Sequence, residues 1–145
     1  MSKKAYNKNR IINGSHGKAF WDGVKLSNVK SAEAKVTMAY EEINQPESLT
    51  TAQRYMGYSI AGTITMYKID SFAAEKLVDS IKSGVMPDAT IIMALEDPAA
   101  YGYERVELTG VTFDELTLMS WENRALGEEE LPFKAEDFRY LDKIA

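Results

Sequence analysis

From Val29 to Glu41 apolar and polar residues alternate: Ala32, Ala34, Val36, Met38 and Tyr40 fall on one side, Glu33, Lys35, Thr37 and Glu41 on the other. A repeat of two belongs to an extended chain whose side chains point to opposite faces in turn, so it predicts a long, half-buried strand. Strand chemistry resumes from Tyr58 to Ile69, with Ile60, Ile64 and Met66 on one face and Gly62 predicting the close approach of a bulky neighbour. Upstream, "GKAFWDGVKL" places two short apolar runs around Asp22-Gly23, a strong signal for a two-residue hairpin turn. Further strands are predicted over Thr90–Leu95, Arg105–Phe113, Leu116–Glu122 and Leu131–Phe138. Residues 43–55, with Pro46 and a cluster of Ser, Thr and Gln, break the alternation and predict a long loop.

The period changes once. In "DSFAAEKLVDSIKSG" Ala74, Leu77, Val78 and Ile81 are spaced as one helical stripe, Asp70 or Ser71 can cap the free N–H groups, and Gly84 can end the helix in a left-handed conformation. About seven strands and one helix predict a mainly β protein: an antiparallel β-sandwich or partly closed barrel with one flanking α-helix. The 145 residues are expected to form a single domain, with residues 1–15 a polar, aperiodic arm that is mobile until bound.

Composition narrows the function. Hydrophobic residues are 45% and charged residues 27%, as in ordinary globular proteins, and no apolar run approaches the ~20 residues of a membrane span. Without cysteine, disulfides, thiolate metal sites and cysteine nucleophiles drop out. The N-terminus has lysines but no apolar stretch behind them, so it is read as cytoplasmic rather than secretory. Net charge is −5 but unevenly spread: residues 1–95 carry 12 basic against 9 acidic residues (+3), residues 96–145 carry 5 against 13 (−8). A basic front and an acidic back keep a chain in solution, and they also suit head-to-tail assembly.

Candidate chemistry is sparse. His16, the only histidine, sits in the polar arm with no nucleophile motif around it, and the glycines fit no phosphate-binding loop. Basic residues do not interleave with aromatics as a nucleic-acid stacking platform would need. Glu128, Glu129, Glu130, Glu136 and Asp137 could bind a hard cation, but they lack the spacing and glycine hinge of a calcium loop. The alternation instead reads as a strand with one wet, acidic face, Glu128, Glu130 and Glu136, opposite Leu131, Phe133 and Ala135. No enzyme activity, cofactor or metal is expected. A small β-barrel ligand-binding module is the alternative from a different class.

Two stretches carry a family resemblance: "YERVELTGVTFDELTL" (103–118) and "LGEEELPFKAEDFRYLDKI" (126–144). They resemble the tail tube proteins of contractile-tailed phages, the PBSX-like (XkdM-like) family. That family carries a "GTERVTLxxVxFD"-type strand pair and a closing "EEEVPFxxEDF" strand. The matching positions are Glu104-Arg105-Val106, Val111, Phe113-Asp114, Glu128-Glu129-Glu130, Pro132-Phe133 and Glu136-Asp137-Phe138. A weaker likeness runs forward through "GTITMYKIDS" and "GKAFWDGVKLSNVKSAEAKV", while the 43–55 loop lacks the glycine- and arginine-rich composition of relatives.

The resemblance implies a structural subunit of the inner tail tube, a homo-hexameric ring stacked into a hollow conduit. The implied partners are tail sheath, baseplate and tape-measure proteins, with DNA only in transit and no membrane insertion. It also implies synthesis in the cytoplasm and a place in a tail or tail-like particle released by lysis. A bacteriocin- or secretion-type tube that carries no DNA is the alternative within this class. On this reading Leu131, Phe133, Phe138, Ile43, Leu49 and Tyr55 are candidate subunit-interface residues. Glu128, Glu129, Glu130 and Glu136 are a candidate acidic surface, suited to keep a polyanion from adhering.

Overall fold

A computed structural model of the chain describes Lys3 and residues 5–144; the parts of the expected arm at residues 1, 2 and 4 lie outside the described residues. Eight strands and one α-helix follow in order among the described residues: β1 (Gly17–Trp21), β2 (Val24–Lys25), β3 (Val29–Asn44), β4 (Thr51–Tyr67), α1 (Phe72–Ser83), β5 (Ala89–Leu95), β6 (Glu104–Phe113), β7 (Glu128–Ala135) and β8 (Asp137–Asp142). The turn between β1 and β2 is the expected one. Asp22 and Gly23 both have positive φ (50° and 84°), which twists the two strands in the sense a sheet needs. The Asp22 carboxylate also accepts a hydrogen bond from Thr90 N (2.9 Å), fixing the turn to β5.

All pairings are antiparallel, in the order β2-β1-β5-β6-β7-β4-β3, with β8 also on β6. The sheet does not close on itself. It folds over at β6, whose first part lies between β5 and β8 and whose end, Thr112–Phe113, pairs with β7. The two layers so formed enclose Trp21, Ile91 and Leu108 from one side and Ile60, Ile64, Leu131 and Phe133 from the other. This is the expected mainly antiparallel sandwich with a flanking helix.

Gly62 does what its position predicted. A Cβ there would stand 2.6 Å from the Phe133 ring and would also meet the Glu33 carbonyl, so only glycine lets β4, β3 and Phe133 come this close. At the helix, Gly84 takes the left-handed conformation (φ 80°), and its N–H bonds to Ser80 O. The Asp70 carboxylate accepts from Phe72 N at the other end (3.2 Å). The buried side of α1, however, is Ala73 and Leu77, with Ile81 exposed. The helix lands on Trp21 through Phe72, edge to face at 5.4 Å, and that contact rotates it away from the purely sequence-based stripe.

Three boundaries differ from expectation. β3 and β4 stay paired out to Asn44↔Thr51, so the expected 43–55 loop contracts to residues 45–50. Residues 43–44 and 51–55 contain no proline and so can keep the backbone hydrogen bonds of the ladder, and only Pro46 and its neighbours fall in the connection. Residues 116–122 form no strand, because both edges of β7, to which they lead, are already taken by β4 and β6. The expected last strand is broken at Glu136 into β7 and β8, the first pairing chiefly with β4 and the second with β6.

Candidate assembly surface

Leu131 and Phe133 are 0% exposed. They belong to the chain's own core, not to a subunit interface as expected, because the fold at β6 brings β7 inside, with Phe113 against the Phe133 ring (6.3 Å). Phe138 is half-buried and packs edge-on to Tyr58 (6.0 Å). The Tyr58 hydroxyl donates to Asp137 Oδ1 (3.0 Å), and that bond to a carboxylate raises the phenol's pKa.

The glutamate run is not the uniform acidic surface expected of it. Glu128 accepts a hydrogen bond from the Lys30 ammonium at 2.7 Å, which raises the Lys30 pKa. Glu129 is only 5% exposed. It shares the parity of Leu131 and Phe133 and so points inward. There its Oε2 lies 3.4 Å from Lys68 Nζ, and its Oε1 has no hydrogen-bond partner among the described residues. Glu130 is exposed opposite Thr65, and Glu136 is exposed with its side chain over Gly110. The outward face shared by Glu128 and Glu130 also carries Lys134, and on β3 Lys35 pairs with Glu33 (3.2 Å). The charges there alternate in sign, because β3 and β7 each bring lysines.

The unusual surface is the β3–β4 hairpin. Its core-facing side begins with buried Ile60 and Ile64 and then runs on past the core. Val36, Met38↔Tyr58 and Tyr40↔Tyr55 continue the same face in the open, the last two rings 5.9 Å apart. Ile43, Leu49 and Tyr55, the expected interface residues of this segment, are all exposed, Leu49 at the tip completely so. Met38, Tyr40, Met56 and Tyr58 belong with them and were not singled out from sequence. Their signal was available: the alternation in β3 is longer than a core of this size can cover. Gly57 (φ 134°) sits at a bulge where Met56 is skipped by the ladder, which bends the outer half of the hairpin.

At the other end of β3, the described part of the arm is held by Asp97, a buried carboxylate that sequence reasoning missed. It accepts from Asn13 N (2.8 Å) and Ala99 N (2.9 Å), and these bonds lower its pKa. His16 Nε2 lies 3.9 Å from the same group, and Arg10 reaches Ala99 O (3.0 Å) and the Tyr101 ring. Next to this lies a groove of about 360 Å³ lined mostly by apolar residues such as Val29, Met93, Leu95 and Val106. Lys18 and Lys30 on its rim are engaged with Glu96 and Glu128, both at 2.7 Å. Among the described residues no three His, Asp or Glu side chains converge on a point that could hold a metal ion. No helix there is long and apolar enough to cross a membrane.

The family described as phage tail tube protein matches residues 4–142. The phage-like element PBSX protein XkdM of Bacillus subtilis (strain 168) is 34% identical over 148 residues, spanning 100% of this chain and 98% of that protein. In structure, the anti-feeding prophage cap (the AFP tube terminating cap) superposes with a TM-score of 0.76 at 9% identity, covering 98% of this chain and 97% of the other. The PVC sheath–tube complex of an extracellular contractile injection system, in its extended state, gives 0.71 at 12%, covering 96% and 100%. At such identities the two structures speak for the fold.

Proposed function

The chain belongs to the phage tail tube protein family, and from that premise we propose that it assembles as stacked homo-hexameric rings forming the conduit of a contractile tail. The observation that carries the assembly is the hairpin. A strand pair of 16 and 17 residues extends an aromatic and methionine-bearing face beyond the core that begins it. Apolar surface contiguous with a core and left open marks a contact with another protein. A second copy covers it most simply, since every copy brings the same face.

In this reading the protein is structural and performs no chemistry; the two lysines on the rim of the groove beside the arm, Lys18 and Lys30, are engaged in ion pairs with Glu96 and Glu128. Its partners are the sheath, baseplate and tape-measure proteins, with DNA in transit. It is made in the cytoplasm and leaves in a tail particle on lysis. The mixed charge of the Glu128/Glu130 face removes the argument that this run alone repels DNA. A tube that carries no DNA, as part of an injection machine, is the second reading; proteins of the same fold occur in the anti-feeding prophage and in an extracellular contractile injection system. Negative-stain electron microscopy and sedimentation of the purified chain at high concentration test the assembly. Six-fold rings or tubes are the expected result, and a strictly monomeric particle overturns it.

A further inference from the structure

Residues 115–127 leave β6 and return to β7 without helix or strand. Leu116 packs on the core, but Leu118, Met119, Trp121 and Leu126 are each about 80% exposed. Connections of this length inside a compact fold are uncommon unless they bind something. A tryptophan with leucine and methionine beside it, rimmed by charge, has the make-up of an interface hot spot. The rim is acidic: Asp114, Glu115 and Glu122 against Arg124.

The N-terminal arm has the complementary composition. Residues 1–18 hold Lys3, Lys4, Lys8, Arg10 and Lys18 and no acid. Within the chain Arg10 is tied to Ala99 and Lys18 to Glu96, whereas Lys3 and Lys8 make no ion pair among the described residues. Tyr6 and Ile11 are exposed apolar side chains on the same segment. Arm and loop lie at one end of the molecule. Lys30 holds Glu128 at the loop's exit and also lines the groove to which Gly14, Gly17 and Lys18, at the arm's base, contribute. Complementary patches at the same end of a subunit can meet by rotation alone, which is the condition for closing a ring rather than growing a filament.

We propose that the 117–126 loop is the seat for the N-terminal arm of a neighbouring copy, Tyr6 and Ile11 packing on Leu118, Met119 and Trp121 and the arm's lysines meeting Glu115 and Glu122. The proposal rests on self-assembly, but its test does not need tubes to form. Trp21 is 1% exposed and Trp121 80%, so a change in the surroundings of the exposed indole is readable by fluorescence. A synthetic peptide of residues 1–15 added to the full-length chain should shift the emission to the blue. A peptide with Lys3→Glu and Lys8→Glu should not, nor should the native peptide on Trp121→Ser. In assembled material, chains carrying Lys8→Cys mixed with chains carrying Glu122→Cys should give a mixed disulfide on oxidation. The chain has no cysteine of its own to confuse the result. Trp121→Ser with Leu118→Ser should keep the wild-type unfolding midpoint and lower tube yield about tenfold or more, as loss of a hot spot does. No blue shift, or tubes at wild-type yield from that double variant, overturns the seat. Failure of the wild type to assemble while the peptide still binds would overturn the ring reading alone.

Discussion

Glu136 lies directly over Gly110: a Cβ on Gly110 would stand 2.8 Å from the Glu136 carboxyl carbon. The two residues fall opposite each other, between the pairs Thr109↔Asp137 and Thr112↔Lys134. Gly110 has a φ of 62°, and β6 slips register against β5 at the same level. Here the partner of β6 changes from β8 to β7, and the sheet folds into two layers. Gly110→Ala should therefore destabilise the monomer by about 1–2 kcal/mol from the left-handed backbone alone. The Glu136 side chain can swing aside, so Gly110→Ala with Glu136→Ala should recover little. Urea unfolding of both variants measures this, and a neutral Gly110→Ala would show that the fold line tolerates a side chain.

Phe133 is a core residue, and its truncation should act on the single chain. Phe133→Ala is expected to cost about 3–5 kcal/mol, read as a lower denaturant midpoint under dilute, unassembled conditions. Loss of assembly with an unchanged monomer midpoint would return Phe133 to an interface.

Glu129 faces a lysine that is still 39% exposed, so neutralising the glutamate strands no buried charge. Glu129→Gln should change stability by less than about 1 kcal/mol. Glu129→Lys sets a second ammonium in the buried position beside Lys68, and about 3–5 kcal/mol should be lost. Thermal melts of the two variants separate these outcomes.

Asp97 is held ionised by two backbone N–H groups, so its acidity is greater folded than unfolded. A depressed folded pKa contributes stability that is complete above the unfolded value, near 3.8, and is lost as pH falls through the folded one. The arm should thus stay latched at neutral pH and loosen only in strong acid. Asp97→Asn removes the charge at every pH, frees the backbone tethered at Asn13, and should speed trypsin cleavage after the already exposed Lys8 and Arg10 at neutral pH. Equal cleavage of wild type and variant would sink the latch.

The hairpin tip and the part of the arm ahead of its Asp97 latch at Asn13 are proposed to gain order on assembly. Amide exchange at residues 45–50 and 5–12 should slow in tubes relative to the free chain, with β5 and β6 unchanged as internal standards. Leu49→Ser, at a fully exposed site, should leave the monomer melt untouched and lower tube yield. Identical protection in both states contradicts the proposal.

What the sequence determined by itself is local. Asp22-Gly23 specifies a turn because few residues accept two positive φ angles in a row. Gly84 ends the helix because glycine takes a single left-handed φ without the clash a Cβ would bring, and the alternation from Val29 onward leaves only a strand. The family resemblance in the last third of the chain was legible because its motifs are long. What only the tertiary structure decided is which faces meet. A period of two says that Leu131 and Phe133 share a side with each other, and by the same count with Glu129. It does not say whether that side meets the chain's own helix and sheet or another subunit. Folding β6 over at Gly110 turned it inward, carrying Glu129 with it and leaving the equally apolar face of Met38, Tyr40 and Tyr55 outside. Likewise the stripe of α1 was set by Trp21 under Phe72, and residues 116–122 stayed irregular because both edges of β7, to which they lead, were already taken by β4 and β6. Periodicity reports the geometry of one segment, and burial depends on segments far away in the chain, which sequence spacing does not encode.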